Sequence, residues 1–335
     1  MAPRRIAMQP TFRDLIAANK RNSLLLVLGF CLFVPLVAIL LSLGLLAYLS
    51  PSSLRHVNVV QALAVGGVAA GIALLLSLFA YFGGESMVLT LSHARPIAHK
   101  DDPELFNVVE EMAIAAGIPV PSIYVIDDTA PNAFATGRDP KHAAVTITTG
   151  LRTKLTRDEL QGVIAHELSH IRNYDIRLML LLTVLIGTVV MLADFFWQVL
   201  NFSTPGSGRR SRDSDKDGGG PLALVLLILA VILAIVAPLL AQLIQLAVRR
   251  QREYLADASG VELTRNPLGL ASALRKIDAD PDVLKVANRG TAHLYIANPI
   301  KKFEARAHTA FASHPPIKER IRRLEALAHE THVDR

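Results

Sequence analysis

Two histidines and a glutamate in the stretch AHELSH, residues 165–170, have the types and the spacing that metal chemistry requires. His166 and His170 are four residues apart, so on a helix they lie one turn apart on the same face. Both imidazoles could then reach one Zn²⁺ ion, and Glu167 lies beside the first of them, where a carboxylate can accept a proton from an attacking water. The motif alone also fits two solvated histidines on a helix surface.

A catalytic zinc site needs a third protein ligand and one open coordination position. Glu253, in the stretch REYLADASG, is the best candidate for that ligand. Asp257 follows one helical turn later on the same face and could orient a ligand imidazole through a hydrogen bond. The alternative for both carboxylates is a solvated helix face.

The composition indicates a membrane protein. Of the 335 residues, 51% are hydrophobic and only 19% are charged, which is less charge than ordinary soluble domains carry. Four apolar runs cover residues 23–49, 57–83, about 178–201 and about 221–247. Each is long enough to cross about 30 Å of hydrocarbon as a helix. We therefore expect a mainly α membrane protein with about four transmembrane helices.

The third and fourth runs explain how a divided metal site could assemble. His170 precedes the third run and Glu253 follows the fourth, each by a few residues. An antiparallel hairpin of the two runs would return Glu253 to the side of His170, about 10 Å above the membrane surface. Charged neighbours such as Arg157 and Arg172 indicate that the site lies in water and not within the bilayer.

The charge distribution predicts the topology. Residues 1–22 carry five basic side chains, so the positive-inside rule predicts that this segment is cytoplasmic. The loop 203–220, which we expect to be flexible, is also basic yet would lie outside, so a shallow hairpin stays open as an alternative. The predicted organisation is a cytoplasmic segment 1–22, a two-helix anchor 23–83, a first cytoplasmic part 84–177, a hairpin 178–247 and a second cytoplasmic part 248–335.

The segment before the metal motif predicts an α+β domain with a small β-sheet. A helix should begin at Asp102, strands should cover 122–127, 132–137 and 143–149, and Thr156 should begin the helix that carries the histidines. The start of the second strand is a candidate substrate-binding edge, because an extended peptide can add to such an edge through main-chain hydrogen bonds. Its candidate residues are Asn132, Ala133 and Phe134. An internal strand without substrate contact is the alternative.

Five stretches carry a family resemblance: ARPIAHKDDPELFNVVEEMA, PNAFATGRDPKHAAVTITTGL, VIAHELSHIRNYD, REYLADASG and SHPPIKERIRRL. In this order they resemble the HtpX-type membrane zinc metalloproteases, relatives of the CAAX prenyl proteases. The resemblance implies a zincin-like domain in which His166, His170 and Glu253 hold one Zn²⁺ per chain and Glu167 is the general base. It further implies a bacterial inner-membrane endopeptidase that cleaves damaged or misfolded membrane proteins at the cytoplasmic face.

Several alternatives remain open at this point. His314, in the stretch SHPP, could donate to the oxyanion of the tetrahedral intermediate or could be a structural cap. The chain could be a latent or non-proteolytic membrane scaffold that keeps the zinc fold, or a CAAX-type processing protease, although four spans are few for the latter. The expected partners are unfolded membrane proteins and the lipid bilayer, with no motif for nucleic acid. The sequence leaves the substrates and the oligomeric state open.

Overall fold

The computed structural model describes residues 12–50, 56–202, 220–285, 294–297 and 315–333. The helices are α1 (Phe12–Leu49), α2 (Val59–Leu91), α3 (Pro103–Ala116), α4 (Thr149–Lys154), α5 (Arg157–Arg172), α6 (Asp175–Phe202), α7 (Gly220–Thr264), α8 (Pro267–Ala279) and α9 (Ile317–Val333). The strands are β1 (Arg95–Pro96), β2 (Ser122–Ile126), β3 (Ala133–Asp139) and β4 (His142–Thr148). The predicted loop 203–220 lies, except for its last residue, outside the described residues.

Helices α1, α2, α6 and α7 are long and apolar enough to cross a membrane. They pack around a core that includes Val34 of α1, Leu182 of α6 and Ala234 of α7. Large apolar side chains such as Leu75 and Phe79 point away from this core and are exposed, as expected for a surface that faces hydrocarbon. The expectation of a mainly α membrane protein with about four transmembrane helices is confirmed.

Helix α7 extends well beyond the apolar run that predicted it. It continues without a break to Thr264. Between the end of the apolar run and Gly260 the sequence contains no proline or glycine that would end the helix. The same helix therefore begins among the apolar helices and ends in the α+β domain. Helix α6 likewise begins at Asp175, three residues before the predicted run.

The strands form one small mixed sheet in the order β1-β2-β4-β3. Strands β3 and β4 are an antiparallel hairpin in which Ala133 pairs with Ile147 and Ala135 with Val145. At its turn, Asp139 accepts hydrogen bonds from the backbone N–H groups of Lys141 and His142. Strand β3 is consequently at one edge of the sheet, and the small sheet predicted from the sequence is confirmed.

Helix α5 is the centre of the α+β domain. Its first turn is fixed by Glu159, whose carboxylate accepts from the backbone N–H of Thr156 at 2.8 Å. Further along, Val163, Ile164 and Leu168 are fully buried in a core shared with α3, the sheet and α8. Burial on several sides leaves the histidine face of α5 in one fixed orientation.

Candidate metal centre

Three side chains from two helices converge at the candidate centre. Nε2 of His166 and Nε2 of His170, both on α5, are 3.3 Å apart. Oxygens of Glu253, on α7, lie 3.7 Å from each of these two nitrogens. The arrangement agrees with the hairpin argument, since α6 and α7 bring Glu253 back to the histidine face of α5.

A carboxylate holds the other ring nitrogen of each histidine. Nδ1 of His166 lies 2.9 Å from Oδ1 of Asp257, and Nδ1 of His170 lies 3.0 Å from Oδ2 of Asp175. A ring that donates its Nδ1–H to a carboxylate presents the lone pair of Nε2 to the centre. Asp257 was predicted from the sequence and Asp175 was not, although Asp175 lies only five residues after His170 at the start of α6.

This donor set fits a divalent ion. Zn²⁺ bound at about 2.0–2.1 Å in tetrahedral geometry separates its ligand atoms by about 3.3 Å, close to the separations seen here. Two imidazoles and one carboxylate would leave a fourth position open. Glu167 lines the same cavity as His170 and Glu253, and its Oε1 is buried with no hydrogen-bond partner in the described part of the chain.

Arg320 of α9 is a fully buried cation at this centre that the sequence reasoning missed. Its Nε and Nη2 lie 2.9 and 2.7 Å from the two oxygens of Asp257, and its Nη1 lies 3.2 Å from Oε2 of Glu253. Burial alone would lower the pKa of Arg320, but the two carboxylates raise it above its ordinary value. Arg320 belongs to the quoted stretch SHPPIKERIRRL, but nothing local in that stretch indicates a contact so distant in sequence.

A second ion pair joins the two helices of the hairpin beside the centre. Nη1 of Arg252, on α7, donates a short hydrogen bond to Oδ1 of Asp175, on α6. Both side chains are buried, so the pair is shielded from screening by water. Because Asp175 also contacts His170, this pair ties the orientation of a candidate ligand to the packing of α6 on α7.

Burial and neighbouring charges shift the pKa values of the side chains at the centre. Burial, with a further contribution from Glu253, raises the pKa of Glu167 to about 7, against the opposing effect of His170 and Arg320. Burial lowers the pKa of His166, with Arg320 acting in the same direction. Burial also acts to lower the pKa of His170, but Asp175 and Glu253 outweigh it and raise that pKa to about 9. A cation that binds here therefore competes with a proton on His170.

The remaining predicted residues fall into two groups. Asn132 is buried immediately before β3, and Ala133 and Phe134 are the first two residues of that edge strand. Their role in substrate binding stays a prediction, as do the metal and catalytic roles of the residues at the centre. His314 lies outside the described residues.

Four apolar helices, a small mixed sheet and a His-Glu-x-x-His helix facing a glutamate are features of a membrane metalloprotease. The chain belongs to peptidase family M48, whose model matches residues 99–328.

Curated relatives cover nearly the whole chain. It is 41% identical to a protease HtpX homolog of Listeria monocytogenes over 93% of this chain and 98% of the relative. It is 42% identical to a protease HtpX homolog of Dictyoglomus thermophilum over 96% of both chains. A crystal structure of Ste24p from S. mikatae is 22% identical, covers 78% of this chain and 64% of that chain, and has a TM-score of 0.43. The resemblance to HtpX-type proteases drawn from the sequence is thereby confirmed.

Proposed function

We propose that this chain is a zinc-dependent endopeptidase of the bacterial inner membrane, with its catalytic domain on the cytoplasmic side, that cleaves damaged or misfolded membrane proteins. One observation carries the proposal: His166, His170 and Glu253 converge from two helices beside the buried carboxylate of Glu167. The family and the names of the relatives support proteolysis, and the donor chemistry supports zinc.

The residues of the centre divide the catalytic work. His166, His170 and Glu253 would hold a zinc ion, which would supply Lewis acidity at the scissile carbonyl and lower the pKa of a water. Glu167, a buried carboxylate beside the three ligands, would accept the proton of the attacking water and deliver it to the leaving nitrogen. Asp257 and Asp175 keep the two imidazoles in the tautomer and orientation that metal binding needs.

The proposed orientation in the membrane rests on charge. The basic cluster Arg249, Arg250 and Arg252 follows the apolar part of α7 on the side that carries the centre, and five basic residues precede the first apolar run in the sequence. In a Cys31→Ser background, a cysteine in place of exposed Asp278 should react with a membrane-impermeant maleimide only after spheroplasts are opened. A cysteine in place of exposed His56 should react in intact spheroplasts, and the reverse pattern would contradict the orientation.

Metal removal tests the proposed activity. Purified protein in detergent should cleave unfolded casein, lose that cleavage after chelation and regain it with about one Zn²⁺ per chain. Glu253→Ala should need far more Zn²⁺ for the same recovery, because one of the three proposed ligands is gone. Cleavage that persists in fully metal-free protein would contradict the proposal.

A further inference from the structure

A short segment of the chain itself lies along the open edge of β3. The backbone N–H of Ile296 donates to the carbonyl oxygen of Ala133 at 2.8 Å. Nδ2 of Asn132 donates to the carbonyl oxygen of Ala297 at 3.1 Å. Residue numbers rise along the segment as they fall along β3, so the segment runs antiparallel to the strand. We call residues 294–297 the strap.

The strap reaches the candidate catalytic cavity. Leu294, at its beginning, lines that cavity together with Ala135 of β3, Glu167 and His170. Leu294 lies two residues before Ile296, and Ala135 lies two residues after Ala133. An antiparallel segment should therefore place Leu294 beside Ala135. The strap therefore covers the part of the edge strand that lies nearest to the proposed metal ligands.

Two anchors hold the strap in place. The ring of Tyr295 is 1% exposed and packs edge-on against Phe134, with 5.0 Å between the ring centres, in an apolar pocket that includes Ile126 and Leu284. Nη1 of Arg320 donates to the carbonyl oxygen of Ile296 at 2.9 Å. The guanidinium that holds Asp257 thus also holds the strap.

A substrate that adds to the edge of β3 needs the same groups. Main-chain recognition at a sheet edge uses the outward N–H and C=O groups of the strand, and the carbonyl of Ala133 already accepts from the strap. A substrate strand that entered the cavity in this register would also meet the side chain of Leu294. Strap and substrate cannot occupy this edge together.

We propose that the strap occupies the place of the substrate strand and keeps the protease latent until an extended polypeptide displaces it. This inference rests on the proposed function, because it concerns regulation of the same site. The strap leaves the metal ligands and Glu167 complete and competes only for the edge. The apparent substrate affinity is then the intrinsic affinity multiplied by the fraction of molecules in which the strap is displaced.

Peptide binding tests the strap without requiring catalysis or zinc. The probe is a fluorescent peptide with the sequence AHLYIANP, copied from residues 292–299, and the protein is the full-length Glu167→Gln variant in detergent. Adding Tyr295→Ala removes the aromatic anchor and should tighten peptide binding at least about fivefold, because the edge is open more often. Tyr295→Phe keeps the ring and should bind the peptide like its parent. Leu274→Ala, a truncation in α8 that is equally buried, is the matched control for general loosening.

A second variant covers the case in which Tyr295→Ala fails to fold. Ile296→Pro removes the N–H that donates to Ala133 and leaves Tyr295 in its apolar pocket, and it should tighten peptide binding in the same direction. It also shortens a buried side chain of the same core as Leu274, so Leu274→Ala is again its control. Unchanged or weaker peptide binding in a folded strap variant would overturn the proposal.

Activity measurements separate this inference from the proposed function. In the otherwise wild-type enzyme with saturating Zn²⁺, Tyr295→Ala should raise kcat/KM for casein at least about fivefold, mainly through KM. Cleavage by the wild type with no gain in kcat/KM in either strap variant would overturn the proposed role of the strap and leave the proposed function standing. Tighter peptide binding in a chain that never cleaves would support the strap and contradict the proposed function.

Discussion

The guanidinium of Arg320 makes two parallel hydrogen bonds to the carboxylate of Asp257, with Nε to Oδ2 at 2.9 Å and Nη2 to Oδ1 at 2.7 Å. Oδ1 of Asp257 in turn lies 2.9 Å from Nδ1 of His166. This buried relay connects α9 with α5, which are far apart in sequence. Helix α9 therefore helps to orient His166, a proposed metal ligand on α5.

Arg320→Leu should destabilise the protein strongly. It leaves the buried carboxylate of Asp257 without its cation, and breaking a buried ion pair in this way costs about 3–5 kcal/mol. Thermal unfolding in detergent should show a clear loss for Arg320→Leu and little change for Arg322→Leu, whose side chain on the same helix is 74% exposed. Equal unfolding temperatures for the two variants would contradict the structural role assigned to Arg320.

Asp257→Asn should weaken zinc binding about 10- to 100-fold, because the neutral amide supports the His166 imidazole less well. Competition with a chromogenic zinc chelator measures this change directly. Asp278→Asn, an exposed substitution in α8, is the matched control and should bind zinc like the wild type. Unaltered zinc affinity in Asp257→Asn would show that the hydrogen bond to His166 does not orient a ligand.

Glu159 should make the stability depend on pH. Burial acts to raise the pKa of Glu159, but hydrogen bonds from Lys276, Ser272 and the Thr156 N–H outweigh it and lower that pKa below its ordinary value. A carboxyl with a lowered folded-state pKa stabilises the fold above its unfolded pKa of about 4.3, and that stability is lost as pH falls through the folded pKa. Glu159→Gln should therefore lower the unfolding temperature at pH 7 and should differ less from the wild type below about pH 4.

The control for Glu159 is Glu111→Gln. Glu111 pairs with Arg157 across a surface where both side chains are nearly half exposed, so its removal should change stability by about 0–1 kcal/mol at most. A gap between wild type and Glu159→Gln that stays constant from pH 7 to pH 3 would contradict the linkage.

Gly162→Ala should disturb the packing of α5. A Cβ at Gly162 would lie 2.7 Å from the backbone nitrogen of Leu270 and 2.9 Å from its Cα, so α8 would have to move away. Such overpacking costs about 1–3 kcal/mol, and we expect lower thermal stability and reduced casein cleavage. Gly187→Ala meets no atom within 4 Å and should be neutral or slightly stabilising. Equal stability of the two variants would contradict the close approach.

Local and periodic features of the sequence predicted much of this arrangement. The spacing of His166 and His170, the four apolar runs and the capping residues around Thr156 each determine structure within a few helical turns. The place of Glu253 beside His170 could be predicted because helix length converts sequence position into distance. These inferences needed no knowledge of side-chain packing.

Other contacts could not be predicted because they depend on how distant elements meet. Arg320 and the strap contact α7 and β3 from parts of the chain with no periodic or spacing signal that points there. Asp175 is close to the motif in sequence, but its contact with His170 depends on the turn between α5 and α6. The sequence predicted helix beyond the apolar run as far as Glu253 and Asp257, but not the end of α7 at Thr264, because hydropathy marks where an apolar run ends and not where a helix ends.

The most direct test of the central claim compares the wild type with Glu167→Gln, which keeps the shape of the side chain and removes its basicity. Both proteins, purified in detergent, are loaded with Zn²⁺, analysed for metal content and incubated with unfolded casein. We predict about one Zn²⁺ per chain in both and cleavage by the wild type alone. Cleavage by Glu167→Gln at a rate near that of the wild type would contradict the account.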